Sequence, residues 1–273
     1  DEWLAIYFKL IIFVVENLSY DFIMITYPNA KINLGLNIIS KRSDGYHDIN
    51  SIFYPIKTIF DILEILPSKM FSFSSSGIAI PDGKNICITA FELIRRDYNI
   101  SNVKIHLHKQ IPIGAGLGGG SSDGAFTLLS LNKIFNLSLS DNQLRKYALE
   151  LGADAPFFIE NIPTFNHGIG EKMSKININL SSFKFKFFFP DLHISTAEAY
   201  SNLNFKSTEN SIKEIIKQPI RNWKNILKND FEISVFNKYP DLKKVKERFY
   251  NEGALYSSMT GSGSVIYAIF DKD

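Results

Sequence analysis

Between residues 112 and 125 the chain reads Pro-Ile-Gly-Ala-Gly-Leu-Gly-Gly-Gly-Ser-Ser-Asp-Gly-Ala, with five glycines in the seven positions from 114 to 120. Glycine visits positive φ freely and leaves no Cβ in the path of a ligand, and so dense a run weakens a fold unless something must approach the backbone. Two charged residues elsewhere could work with such a loop. Lys31 stands in Ala-Lys-Ile-Asn-Leu (residues 30–34), and Asp154 in Gly-Ala-Asp-Ala-Pro-Phe-Phe (residues 152–158). On local pattern alone each has a plain reading, Lys31 as a solvated strand lysine and Asp154 as a turn residue ahead of a proline. Asp44-Gly45-Tyr46-His47 is similarly readable as a hairpin tip with incidental aromatics.

The elements that would position these groups follow from periodicity. Residues 103–109 (Val-Lys-Ile-His-Leu-His-Lys) alternate as a strand, and Ala125, Phe126, Leu128, Leu129, Leu131, Ile134 and Phe135 recur at helical spacing. A strand therefore feeds a glycine loop that opens a helix, with Ser121, Ser122 and Asp123 as capping side chains at its start. Unpaired N–H groups and the positive end of a helix then converge on one spot, which suits a phosphate. The Walker pattern is not met, because Gly119 is followed by Gly120 and Ser121 with no lysine. The dinucleotide pattern matches by letters at Gly114, Gly116 and Gly119, but the acid at the right distance, Asp141, opens another helix behind the capping box Ser140-Asp-Asn-Gln143. A dinucleotide-dependent oxidoreductase stays open at this point.

With 45% hydrophobic and 21% charged residues, the composition is that of an ordinary globular protein, and 273 residues allow one large domain or two smaller ones. A net charge of +2 argues against a nucleic-acid or anionic-membrane partner. The single cysteine, Cys87, excludes an internal disulfide or a cysteine-based metal site and fits a reducing, cytoplasmic compartment. Residues 1–23 precede a Met-Ile-Thr-Tyr-Pro-Asn-Ala-Lys-Ile-Asn stretch (24–33); their apolar run, broken by Lys9, is too short to span a bilayer, and they are expected to be an upstream extension outside the fold.

Further along, residues 30–39 alternate strictly, with Ile32, Leu34, Leu36 and Ile38 on one side. Residues 49–56 and 58–66 read as strands, Asp82-Gly83 as a turn, and 89–96 as a helix capped near Thr89. His106 and His108 read as surface residues. A helix over 141–151 is stopped by Gly152. Residues 183–189 read as a buried strand, a helix starts after Ser195 or Thr196, and further helices fall around 211–218, 223–227 and 241–250. A Gly-Ser-Gly stretch (261–263) lies between the last helix and an apolar strand from Val265.

The stretch Pro-x-Gly-x-Gly-Leu-Gly-Gly-Gly-Ser-Ser resembles the phosphate-binding motif of the GHMP kinases. The segments around Lys31 and around Gly261 resemble the other two family motifs, in the family's order. Asp-Gly-Tyr-His resembles the branch of the family whose acceptor carries a cytidine diphosphate. The resemblance implies a two-domain α+β fold, with a ribosomal protein S5 domain 2-like ATP-binding domain over 24–180. A ferredoxin-like domain over 181–273 would follow, expected to lack a final helix. It implies ATP and Mg²⁺ as cofactors and phosphoryl transfer to a small-molecule alcohol by a monomer or homodimer. Pro112, Gly114, Gly116, Leu117, Gly118, Gly119, Gly120, Ser121 and Ser122 would hold the phosphates, with Ser121 or Ser122 reaching Mg²⁺ and Asn85 and Lys109 on the adenosine side. Lys31 and Asp154 would be catalytic, and no protein metal centre is expected. Asn33, Gly261 and Gly263 would lie at the acceptor. Tyr46 would stack on the cytosine opposite Tyr200, with His47 hydrogen-bonded to its edge. A different acceptor within the family, or nucleotide binding without turnover, remain alternatives.

Overall fold

The computed structural model describes residues 23–81, 83, 85–200 and 211–272; residues 1–22 of the expected extension and Asp82 of the expected turn lie outside them. Three sheets carry the described chain. In the first, β1 (Met24–Thr26), β4 (Ile62–Ser68), β6 (Asn102–Lys109) and β5 (Ser72–Gly77) lie in the order β1-β4-β6-β5, with β5 and β6 parallel. The second has the order β2-β3-β7-β8 and pairs β2 (Asn29–Lys41), β3 (His47–Phe60), β7 (Thr164–Gly168) and β8 (Lys172–Lys175) antiparallel throughout. The third, in the order β10-β11-β9, joins β9 (Phe183–Phe188), β10 (Tyr256–Met259) and β11 (Ile266–Asp271).

Helices α1 (Ile86–Asp97), α2 (Gly119–Ile134) and α3 (Asp141–Leu151) cover the first sheet, and Ala90, Ile94, Leu128, Leu131 and Ala148 share a core with Leu63, Ile65 and Ile105. Short α4 (Phe157–Glu160) adds Phe157 and Phe158 to the same core. The C-terminal part adds α5 (Thr196–Ala199), α6 (Ile212–Ile215), a 3₁₀ turn (Ile220–Asn225), α7 (Phe231–Lys238) and α8 (Pro240–Asn251), of which α8 packs on β10 and β11 and the 3₁₀ turn on β10. The capping box at Ser140 and Gln143 opens α3, and Gly152 closes it, as the sequence indicates.

Strand β2 departs from its sequence pattern in a way that shapes the molecule. Strict alternation puts Ile32, Leu34, Leu36 and Ile38 on one face. A bulge at Gly35 (φ +69°) instead shifts the register between Leu34 and Leu36. Ile32 and Leu34 pack with Trp223, Tyr256 and Tyr267, while Leu36 and Ile38 pack with Phe231, Val235, Phe249 and Ile266. The bulge carbonyl is satisfied by Ser51 Oγ at 2.6 Å, and the Leu36 backbone pairs with Lys228 and Asp230 at 2.9 and 2.8 Å. The polar face is not solvated either: Lys31, Asn33 and Asn37 are buried.

Other boundaries also move. The two strands expected over 49–66 divide at Asp61. The first helix begins at Ile86 with Asn85 as its cap, not Thr89, because the Asn85 carboxamide accepts the Cys87 N–H at 2.8 Å. Strand β9 is half-buried rather than buried, since it is an edge with Lys184 and Lys186 turned outward. Residues 260–265 link two strands, β10 and β11, rather than a helix and a strand.

Candidate active site

The loop between β6 and α2 opens a cleft of about 930 Å³, whose walls also include β2, the 260–263 turn and the segment from His193 to Tyr200. Gly118 is the residue before the helix, in the left-handed region at φ +71°, so Ser121, Ser122 and Asp123 lie inside the helix and do not cap it. The first N–H groups of α2 therefore have no acceptor within the helix. Around Gly120 there is open space where a side chain would stand. The two glycine-containing turns touch backbone to backbone: a Cβ on Gly116 would strike the Thr260 carbonyl, and one on Gly261 would lie 3.1 Å from Gly116 Cα. Thr260 Oγ1 also donates to the Gly116 carbonyl at 3.1 Å.

Lys31 lies under this loop. Its backbone N–H donates to the Leu117 carbonyl at 2.9 Å, and a Cβ on Gly118 would come within 3.1 Å of Lys31 Cγ. The ammonium is 3.2 Å from Asp154 Oδ2, donates to Asn33 Oδ1 at 2.7 Å and sits 4.6 Å over the Phe53 ring. The Lys31 side chain is 4% exposed and that of Asp154 33%; both line the cleft, the carboxylate more openly. Asn33 is fixed in turn by Ser51 Oγ at 2.8 Å and by Thr260 Oγ1, which accepts its backbone N–H at 3.1 Å. A cation beside an acid at the mouth of a phosphate-sized loop can stabilise developing negative charge while the acid takes or orients a hydroxyl proton.

Lys109 lines the cleft, as the sequence suggests, but its ammonium is engaged by two carboxylates. It is buried, with its ammonium 2.5 Å from Asp61 Oδ2 and 2.7 Å from Asp123 Oδ2. Burial pulls its affinity for the proton down, but Asp123 and Asp61 more than offset this and hold it above the usual lysine range. Asp61 Oδ1 accepts the N–H groups of Gln110 and Ile111 at 2.6 and 2.8 Å, whereas Asp123 Oδ1 has no partner among the described residues. Desolvation, with the Asp61 charge nearby, pushes the Asp123 carboxyl up to about 8. Asp123 therefore holds its proton to higher pH than an ordinary aspartate.

Of the remaining sequence-predicted residues, Asn85, Pro112, Gly114, Gly119, Ser121 and Tyr200 also line the cleft. Leu117, Ser122 and Gly263 do not: Leu117 and Ser122 are buried, the Ser122 hydroxyl without a partner among the described residues, and Gly263 is packed on Met259 and Ile194. Tyr46, expected to face Tyr200 across the cytosine, is not among the residues lining the cleft. Tyr46 is 60% exposed beside the Asp44-Gly45 turn, and the ring that stacks on Tyr200 is His47, at 4.0 Å and 15°. Burial, with Lys41 nearby, lowers the His47 pKa, and burial with the Asp154 charge raises that of Tyr200. His106 and His108 are bonded to Ser74 and Ser76 on the exposed sheet face. Asp61, Phe53 and His193 are cleft or loop-supporting residues that the sequence reading missed. Asp61 alone carried a signal, as an isolated acid inside the apolar stretch Ile59-Phe60-Asp61-Ile62-Leu63.

The model of the GHMP kinases N terminal domain matches residues 85–161, and that of the GHMP kinases C terminal matches residues 211–273. The chain belongs to the GHMP kinase family. Within it, the chain is 47% identical over 252 residues to 4-diphosphocytidyl-2-C-methyl-D-erythritol kinase of Azobacteroides pseudotrichonymphae genomovar. CFP2, covering 91% of this chain and 94% of that protein. It is 48% identical over 251 residues to the protein of the same name from Cytophaga hutchinsonii, covering 91% and 93%. A crystal structure of 4-(cytidine 5'-diphospho)-2C-methyl-D-erythritol kinase superposes with a TM-score of 0.77 at 30% identity over 90% of both chains. These likenesses favour the kinase reading of the glycine loop over the dinucleotide-oxidoreductase one.

Proposed function

We propose that this chain is an ATP-dependent kinase that phosphorylates the 2-hydroxyl of 4-diphosphocytidyl-2-C-methyl-D-erythritol, a step of the non-mevalonate route to isoprenoid precursors. The observation that carries the reading is the Lys31–Asp154 pair beneath the glycine loop, 3.2 Å apart in one cleft, in a chain so similar to kinases of that name. Asp154 receives or orients the proton of the acceptor hydroxyl, whose oxygen then bonds to the γ-phosphorus as the bond to the β-bridging oxygen breaks. Lys31 stabilises the negative charge that grows on the attacking and transferring oxygens. The N–H groups at the start of α2 orient the phosphates, so positioning and electrostatics supply most of the rate.

Mg²⁺ takes hard oxygen donors, and Ser121 and Asp154 place such donors on the cleft; the ion would neutralise phosphate charge there. Ser122, buried away from the cleft, is the poorer candidate. Asn85 and the outer rim of the loop would serve the nucleoside of ATP, and Tyr200 the cytosine. Among the described residues no helix is long and apolar enough to cross a membrane.

The test is an acceptor panel. ADP release with ATP and Mg²⁺ is measured with the cytidylated methylerythritol, mevalonate and homoserine. Release that requires the cytidylated alcohol is the expected result; release with another alcohol alone would keep the kinase chemistry and overturn the acceptor.

A further inference from the structure

The substrates proposed above bring a triphosphate and a diphosphate into one cleft, yet its lysines are already engaged. Lys31 is tied to Asp154 and Asn33, and Lys109 to Asp61 and Asp123. Among the described residues lining the cleft, the remaining basic side chain is His193. It is exposed and enters from the segment that continues through Ser195 into α5 and Tyr200. Its ring lies on the glycine loop. A Cβ built on Gly114 would stand 2.5 Å from His193 Cε1 and 2.7 Å from Nδ1, but 3.8 Å from Nε2. Cε1 and Nδ1 therefore face the loop, and Nε2 is directed away from it. Neither ring nitrogen has a hydrogen-bond partner among the described residues. The charged group that acts on it, Glu198, is itself held by Lys238 and Tyr239 at 2.8 and 2.7 Å. The glycine loop brings no charged side chain against it.

We infer that His193 is a substrate-contacting residue that donates a hydrogen bond from its imidazole to a phosphate-ester oxygen at the mouth of the glycine loop. The inference rests on the kinase reading. It gives the C-terminal part of the chain a direct hold on the phosphates, on the same segment that carries Tyr200. Ile194, the next residue, anchors that segment, since a Cβ on Gly263 would lie 3.3 Å from its Cδ1. Because Gly114 leaves room for the ring, histidine and glycine form one device: the loop lacks a side chain where the imidazole must lie.

The oxygen contacted belongs either to ATP or to the acceptor's diphosphate, and the experiment separates the two. Steady-state constants for both substrates are measured in wild type, His193→Ala, His193→Gln and His193→Lys. Loss of one charge-assisted hydrogen bond at a partly exposed site raises the KM of the contacted substrate about tenfold in the alanine variant, with kcat and the other KM within about twofold. The lysine variant recovers at least half of that loss, which a packing role would not allow. Binding of ATP and of cytidine diphosphate by titration calorimetry gives the same discrimination without turnover, so failure of the acceptor assignment is distinguishable from failure of this one. Unchanged affinities for both nucleotides in His193→Ala, with an unchanged melting temperature, would overturn the inference. Equal loss in alanine and lysine variants would overturn it as well.

Discussion

Replacing Asp123 by asparagine removes the carboxyl that the folded chain keeps protonated at neutral pH. In the unfolded chain an aspartate has a pKa of about 3.9. In the fold, burial and the Asp61 charge raise that of Asp123 to about 8. A raised folded pKa means that the stabilisation is fully present below the unfolded pKa and is lost as pH rises through the folded one. At about pH 7 the native state binds nearly one proton more than the unfolded state through this group, so its contribution falls by about 1.4 kcal/mol per pH unit, and by half that rate near pH 8. Integrated from about pH 6.5 to about pH 8.5, the loss is about 2 kcal/mol. The asparagine variant lacks this proton, and its carboxamide can still accept from Lys109 and offer an N–H in place of the acid's O–H.

Urea unfolding of both proteins across that range measures the difference directly. The stability of wild type should fall relative to Asp123→Asn by about 2 kcal/mol. Cys87, pushed up to about 12 by burial and then by Asp123, stays protonated in both folded proteins over this range, so its contribution is set by the unfolded thiol and nearly cancels. Parallel stability curves would refute the reasoning, because they would mean that Asp123 is ionised throughout and that the cluster carries a net negative charge beneath the glycine loop.

Three further outcomes follow from the packing. Gly116→Ala places a Cβ against the Thr260 carbonyl at φ +80°; it should cost at least about 1–2 kcal/mol of stability and weaken ATP binding, and an unchanged melting temperature would contradict the close approach. Trp223→Ala empties the centre of the second core, where the indole is 1% exposed and donates to the Gln218 carbonyl, and should lower the urea-unfolding free energy by about 3–5 kcal/mol. Tyr200→Ala should raise the KM for the cytidylated acceptor about tenfold, the value of a modest base-stacking contact, while that for ATP stays put; equal changes in both would remove Tyr200 from the cytosine site.

Local chemistry made much of this legible in the sequence. The strand–loop–helix around residues 112–125 could be read because glycine density and helical periodicity are local signals. The α3 helix could be read because Ser140, Gln143 and Gly152 mark both of its ends. What escaped is set by long-range packing. The register of β2 shifts at three places, among them the bulge at Gly35, whose carbonyl and neighbours are satisfied by Ser51, Lys228 and Asp230. Nothing in a strictly alternating segment announces that a second apolar surface will cover its other half. Lys109 illustrates the same limit. Its type and position suggest a ligand contact, but Asp61, 48 residues earlier, and Asp123 capture it. His193 carried no signal at all, since a lone loop histidine becomes meaningful only when the loop of Gly114 is found beneath its ring.

The central claim is that Lys31 and Asp154 perform phosphoryl transfer in this cleft. ADP release with ATP, Mg²⁺ and the cytidylated methylerythritol, compared between wild type, Lys31→Met and Asp154→Asn, tests it most directly. The account predicts that Asp154→Asn lowers kcat by about 10²–10⁴-fold, that Lys31→Met does so at least as strongly, and that both still bind ATP. Turnover by Asp154→Asn at close to the wild-type rate would contradict it.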